Sequence, residues 1–165
     1  MRTNTLVLAL VLSLVGAASA AANDYSPLSP QSPGTAHIGT WKLNDGKSKF
    51  DTGATKNTTV VYASSGESVK ITVDGTDGNG KPVHTEWTGK FDGKPYPVKG
   101  GPTADTRAYT VTDDHTLTFV EKKGATVTNS GRAVLSADGK TRTVDATATD
   151  SKGMKVSTHA VYDKQ

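Results

Sequence analysis

Turn chemistry cuts this chain at nearly regular intervals, and that spacing constrains its fold more than any other feature. Breaks fall at Ser64-Ser65-Gly66, Asp77-Gly78-Asn79-Gly80, Asp92-Gly93, Asp113-Asp114, Lys123-Gly124, Ala137-Asp138-Gly139 and Ser151-Lys152-Gly153. Asp or Asn before Gly accepts or demands positive φ, so several of these read as hairpins. Between them β-branched residues alternate with polar ones, and no window after residue 37 repeats apolar residues at helical spacing. The chain is therefore expected to be all-β.

The expected strands are Ile38 to Leu43, Thr58 to Ala63, Ser68 to Asp74, Pro82 to Lys90, Tyr96 to Val98, Thr106 to Val111, Thr116 to Lys122, Ala125 to Leu135, Thr141 to Ala148 and Met154 to Tyr162. That makes ten strands, or nine if the short Tyr96 to Val98 segment is only a bend. A meander of this length removes its exposed edges most completely by closing on itself, which favours an up-and-down antiparallel β-barrel over a sandwich. Alternation sends Trp41, Val60, Tyr62, Val69, Ile71, Val73, Val83, Trp87, Phe91, Tyr109, Val111, Leu117, Phe119, Val144, Ala146, Val156, Ala160 and Tyr162 inward. Thr85, Asn129, Arg142 and Thr158 share that face. Small and polar residues among the large ones suit either a modest cavity or a tapered, filled barrel.

The opening residues read as an address. Arg2 gives a positive start, Leu6 to Val15 an apolar run too short to span a bilayer, and Ala18-Ser19-Ala20 a small-residue cleavage site. Residues 1–20 are thus expected to be a signal peptide of bacterial style, residues 21–36 a Pro- and Ser-rich flexible arm, and residues 37–165 one barrel domain. The product would be exported, periplasmic or extracellular, with no membrane span. The absence of cysteine excludes a disulfide framework and a lipid-attachment cysteine.

Net charge is +3, spread in mixed signs, so charge alone attracts no nucleic acid. Lys47-Ser48-Lys49 and Lys122-Lys123 read as solvated turn or strand-end residues. Catalysis finds no defensible residue: Asp113-Asp114-His115 lies in a polar turn, where neighbours rarely converge on one reacting atom. His84 and His159 fall on the outer face and His37 ahead of the first strand, so neither metal nor cofactor is expected. The recurrent Asp-Gly-Lys at 45–47, 92–94 and 138–140 lacks the acidic density of a calcium loop.

Gly39-Thr40-Trp41-Lys42-Leu43 resembles the G-x-W opening strand of the calycins, the superfamily of lipocalins and fatty-acid-binding proteins. Ala160-Val161-Tyr162-Asp163-Lys164 resembles the R-V-Y-E-K ending of the latter, and the wider Gly39 to Phe50 pattern is similar to small secreted bacterial lipocalin-like proteins of unassigned function. The resemblance implies structural roles for Gly39 and Trp41, with Trp41 closing one end of the barrel. It also implies carriage of a small apolar or amphipathic ligand, with Tyr62, Trp87, Tyr109, Phe119, Arg142 and Tyr162 as the contacts.

Two departures qualify it. Ala160 stands where the carboxylate-gripping arginine of the R-x-Y pair would be, and Asn44 to Asn57 is too short and polar for a helical lid. Arg142 either replaces that arginine or stacks behind Trp41, the structural role being preferred, and Arg132 competes for both tasks. The competing function is an envelope structural or interaction protein with a solid barrel. A monomer is expected in either case.

Overall fold

The computed structural model describes residues 34–165. The leader and most of the arm lie outside them, while residues 34–36, read above as the end of the arm, begin a 3-10 turn, Thr35–His37, packed under the barrel.

Eleven strands follow: β1 (Gly39–Leu43), β2 (Lys49–Phe50), β3 (Lys56–Ser65), β4 (Ser68–Thr76), β5 (Pro82–Gly89), β6 (Tyr96–Lys99), β7 (Thr106–Asp113), β8 (Thr116–Lys123), β9 (Thr126–Leu135), β10 (Thr141–Thr149) and β11 (Lys155–Lys164). Each pairs antiparallel with the next in the meander from β3 to β11, and β1 pairs with both β3 and β11, which closes the sheet on itself. The two-residue β2, a strand the alternation does not reveal, pairs with the mouth-side part of β11, Phe50 opposite Thr158 and Lys49 opposite His159. β1 and β2 are therefore one stave interrupted by the 3-10 turn Asp45–Lys47, giving a closed barrel of ten staves. This layout fits a calycin-like fold.

The hairpins are built as the turn residues dictate. Asp77, Asp92, Asp113, Asp138 and Asp150 each accept a hydrogen bond from the main-chain N–H two residues on, at 2.8–3.1 Å. Those main-chain donors, preceded for Asp77 by the Lys81 N–H and for Asp138 by the Ser136 hydroxyl, hold the carboxyls of Asp77, Asp92, Asp113 and Asp138 below the ordinary range. Asp113 is thus occupied by turn geometry, bonded to the His115 N–H.

The inner face follows the expected alternation. Trp41, Val60, Tyr62, Ile71, Val73, Trp87, Tyr109, Leu117, Phe119, Leu135, Ala160 and Tyr162 form the core, with Val69, Phe91, Val111, Val144 and Ala146 packed against it.

Trp41 is fully buried and seals one end, its indole N–H donating to the His37 carbonyl at 2.9 Å. The stacking residue behind it is Lys164, whose Nζ lies 5.3 Å from the ring centre. Arg142, expected above as one candidate for that place, instead reaches across to lie over Tyr62, 4.4 Å from its ring centre. Gly39 makes the Lys164 contact fit: its φ of +139° suits glycine alone, and a Cβ there would come within 2.8 Å of Lys164 Cε. Arg132 points outward, beside Asp145 at 3.6 Å, and takes neither role.

Candidate functional site

The two halves of the barrel are filled differently. In the sealed half, Tyr109 packs edge-on against Trp87 at 5.1 Å and Phe91 at 5.5 Å between ring centres, and Phe91 stacks on Trp87 at 6.1 Å. Trp87 donates its indole N–H to the Arg107 carbonyl at 2.8 Å. Tyr62 and Tyr109 meet through their hydroxyls at 3.4 Å, and Arg142 donates to the Tyr62 hydroxyl. Among the described residues no carboxylate pairs with Arg142; the Tyr62 oxygen and ring receive its charge, and its Nε has no partner. Burial raises the Tyr62 hydroxyl well above the ordinary tyrosine value and carries that of Tyr162 to about 12.

His37 completes this floor. Its ring is wholly buried and neither nitrogen has a hydrogen-bond partner. Burial first, and then the Arg142 charge, lower its pKa to about 3, offset only in part by the nearby His115 carbonyl, so the ring stays neutral.

The other half holds a cavity of about 510 Å³. Its mouth is ringed by loops at residues 52–55, 77–79, 101–103 and 150–152, and its apolar wall comprises Phe50, Val73, Val83, Phe119, Val144, Ala146, Val156 and Ala160. The polar wall is a cluster of Arg107, Glu121 and Asn129, of which the strand pattern singled out only Asn129. Two residues beyond inward Tyr109 stands Arg107, and two beyond inward Phe119 stands Glu121. Glu121 Oε1 accepts from Arg107 Nε at 2.5 Å and from Nη2, and Glu121 Oε2 accepts from Asn129 Nδ2 at 3.1 Å. Burial opposes the charge of Arg107, but Tyr109 and Glu121 beside it outweigh that and raise its pKa. Continuing the period-2 register by one step on β7 and β8 would have revealed this pair.

Of the contacts implied by resemblance, Phe119 and Tyr162 border the cavity. Tyr62, Trp87, Tyr109 and Arg142 are placed below it in the packed floor. Tyr162 donates its hydroxyl to the Asn57 carbonyl at 3.2 Å. Among the described residues no three of His, Asp and Glu gather as a metal site, and no helix is long and apolar enough to cross a membrane.

No family model matches the chain. No curated protein matches it either. Among solved structures it is similar to EF1p2_mFAP2b bound to DFHBI, at 14% identity and TM-score 0.48 over 79% of this chain and 95% of that one. It is also similar to the redesigned β-barrel mFAP1 bound to DFHBI, at 16% identity and TM-score 0.44 over 79% and 96%. The redesigned barrel b11L5F_LGL stands at 13% identity and TM-score 0.44 over 79% and 93%. None of these likenesses bears on what this chain binds.

Proposed function

We propose that this protein is an exported carrier, not an enzyme, that encloses a small apolar or amphipathic molecule in the open half of its barrel. The observation that carries this reading is the 510 Å³ cavity, whose valine, alanine and phenylalanine side chains are interspersed with threonines and the Arg107, Glu121 and Asn129 cluster. Ligand pockets combine apolar side chains with placed polar groups and have a size of roughly 300–1,000 Å³. The Arg2 to Ala20 leader pattern supports export.

A neutral ligand suits this wall better than a fatty acid. Ala160 brings no charge to Tyr162, Arg107 is already bound to Glu121, and Arg142 is engaged beneath the cavity with Tyr62. Native mass spectrometry of the protein purified from its own host tests carriage directly. A bound small molecule released on collisional activation is expected. Bare protein that also fails to respond to retinoids, sterols and fatty acids would favour the solid-barrel interaction protein, and tight fatty-acid binding lost in Arg142→Ala would reverse the ligand preference.

A further inference from the structure

Among the described residues, the large hydrophobic side chains left exposed lie toward one end of the barrel. Met154, 64% exposed, and Val127, 44% exposed, stand on the β10–β11 and β8–β9 hairpin tips, with Val120 behind them on the outer face of β8. β9 and β10 pair side by side, which sets the two tips next to one another on the rim of the cavity mouth. Val127 owes its exposure to a slip of one residue in the β8–β9 ladder: it faces Lys122, and both turn outward while Glu121 and Asn129 keep to the cavity wall.

Lysines flank both tips. Lys122 and Lys123 lead into one, and Lys152 and Lys155 bracket Met154 on the other. Among the described residues Lys122, Lys152 and Lys155 join no ion pair, while Lys123 reaches Asp105 at 3.7 Å. The carboxylates nearby are held by the main chain: Asp105 accepts from the Gly124 N–H at 2.8 Å, and Asp150 from the N–H groups of Lys152 and Met154 at 2.9 and 2.8 Å. The sealed end is the reverse, its turns bearing Glu67, Asp92, Asp113, Asp114 and Asp138. Apolar side chains ringed by cations match anionic headgroups laid over hydrocarbon, because the ammonium groups stay with the phosphates while the apolar groups pass below them. A second copy docked tip to tip would bring lysine against lysine, and a soluble acidic partner would give Met154 and Val127 no apolar interior to enter.

We propose that the two hairpin tips dock the protein, mouth first, on an anionic membrane surface, with Met154 and Val127 in the interface and Lys122, Lys123, Lys152 and Lys155 on the headgroups. The site lies on the outer rim and holds whether or not the cavity carries a ligand.

Co-sedimentation of the exported protein at low salt, with vesicles of phosphatidylglycerol and phosphatidylcholine in equal parts against phosphatidylcholine alone, tests it; only the anionic vesicles should carry the protein down. Each lysine near an anionic surface raises partitioning about fivefold, so Lys122→Glu with Lys152→Glu should weaken binding by about tenfold or more. Lys94→Glu with Lys140→Glu makes the same change of charge at the sealed end and should leave binding within about twofold, since those sites face away from the headgroups. The chain has no cysteine, so Met154→Cys and Asp114→Cys each carry a single environment-sensitive nitrobenzoxadiazole label. On anionic vesicles the label in Met154→Cys should brighten and shift to the blue, and that in Asp114→Cys should not. Equal losses from the two charge-reversed pairs, equal binding to neutral vesicles, equal response of the two labels, or no sedimentation with anionic vesicles overturns the inference and leaves carriage intact. A label in Met154→Cys that responds as strongly to soluble polyglutamate, the mark of an acidic partner, or to rising protein concentration alone, the mark of a second copy, overturns it too.

Discussion

The sealed and open halves of the barrel obey the same in-out alternation and reach opposite outcomes, because the inward side chains shrink toward the mouth on five strands while β7, β8 and β9 bring Arg107, Glu121 and Asn129 there. From floor to mouth β10 presents Arg142, Val144, Ala146 and Ala148, β5 presents Trp87, Thr85 and Val83, and β4 presents Ile71, Val73 and Gly75. β11 steps from Tyr162 to Ala160, and β3 from Tyr62 to Val60. Large residues meet across the axis at one end and fill it; small ones fail to meet at the other and leave 510 Å³. The order of side-chain sizes along these five strands, and not overall composition, decides between a solid and a hollow end.

The contrast breaks first at its strongest point. Trp41→Ala empties a fully buried site under the Lys164 side chain and should cost about 3–5 kcal/mol. Denaturant titration against Val83→Ala at the half-buried cavity wall, where a loss of about 1 kcal/mol is expected, measures the difference between the halves. Similar losses at both sites would mean that the two ends are packed alike.

Acid separates the halves next. His37 has its pKa lowered to about 3 by burial and by Arg142, with His115 and Lys164 adding to the positive surroundings. Between about pH 6.5 and 3 the unfolded chain binds a proton that the folded one refuses, so stability complete above 6.5 falls as the pH falls. Lowering the pH from 7 to 4.5 should therefore cost the native protein about 2–3 kcal/mol more than it costs His37→Leu, read as the difference between urea unfolding energies. Identical pH dependence in the two would show that His37 is protonated in the folded floor.

The smallest effect on stability belongs to the cavity. Ala146→Phe projects into existing space and should change unfolding free energy by less than about 1 kcal/mol while removing ligand binding. A large destabilisation would show that the wall collapses onto itself in solution.

Strand positions and faces were legible in the sequence because period-2 alternation and Asp-containing turns are local signals. Lys49–Phe50 was not, since two residues carry no period, and its pairing depends on where β11 passes. The site was legible only in part. Phe119 and Tyr162 reach the cavity, but aromatic character alone pointed equally to Tyr62, Trp87 and Tyr109, which pack the floor. Arg107 and Glu121 were hidden by being charged: a salt pair inside a barrel contradicts hydrophobicity and emerges only when the register is carried past the apolar residues. The partner of Trp41 depended on the reach of long side chains, which strand periodicity does not encode.

The seam of the barrel has a kinetic consequence. Every pairing from β3 to β11 joins sequence neighbours, but the last closure brings Trp41 beside Lys164 and Leu43 beside Tyr162. Ordering so long an intervening chain carries a loop-closure penalty that the hairpins do not, and contacts of high sequence separation slow folding. The meander is thus expected to assemble as an open, curled sheet with two free edges and to become a container only when β11 finds β1. Until then both edges can pair with other chains, so the time between hairpin formation and seam closure is when this protein is most exposed to aggregation.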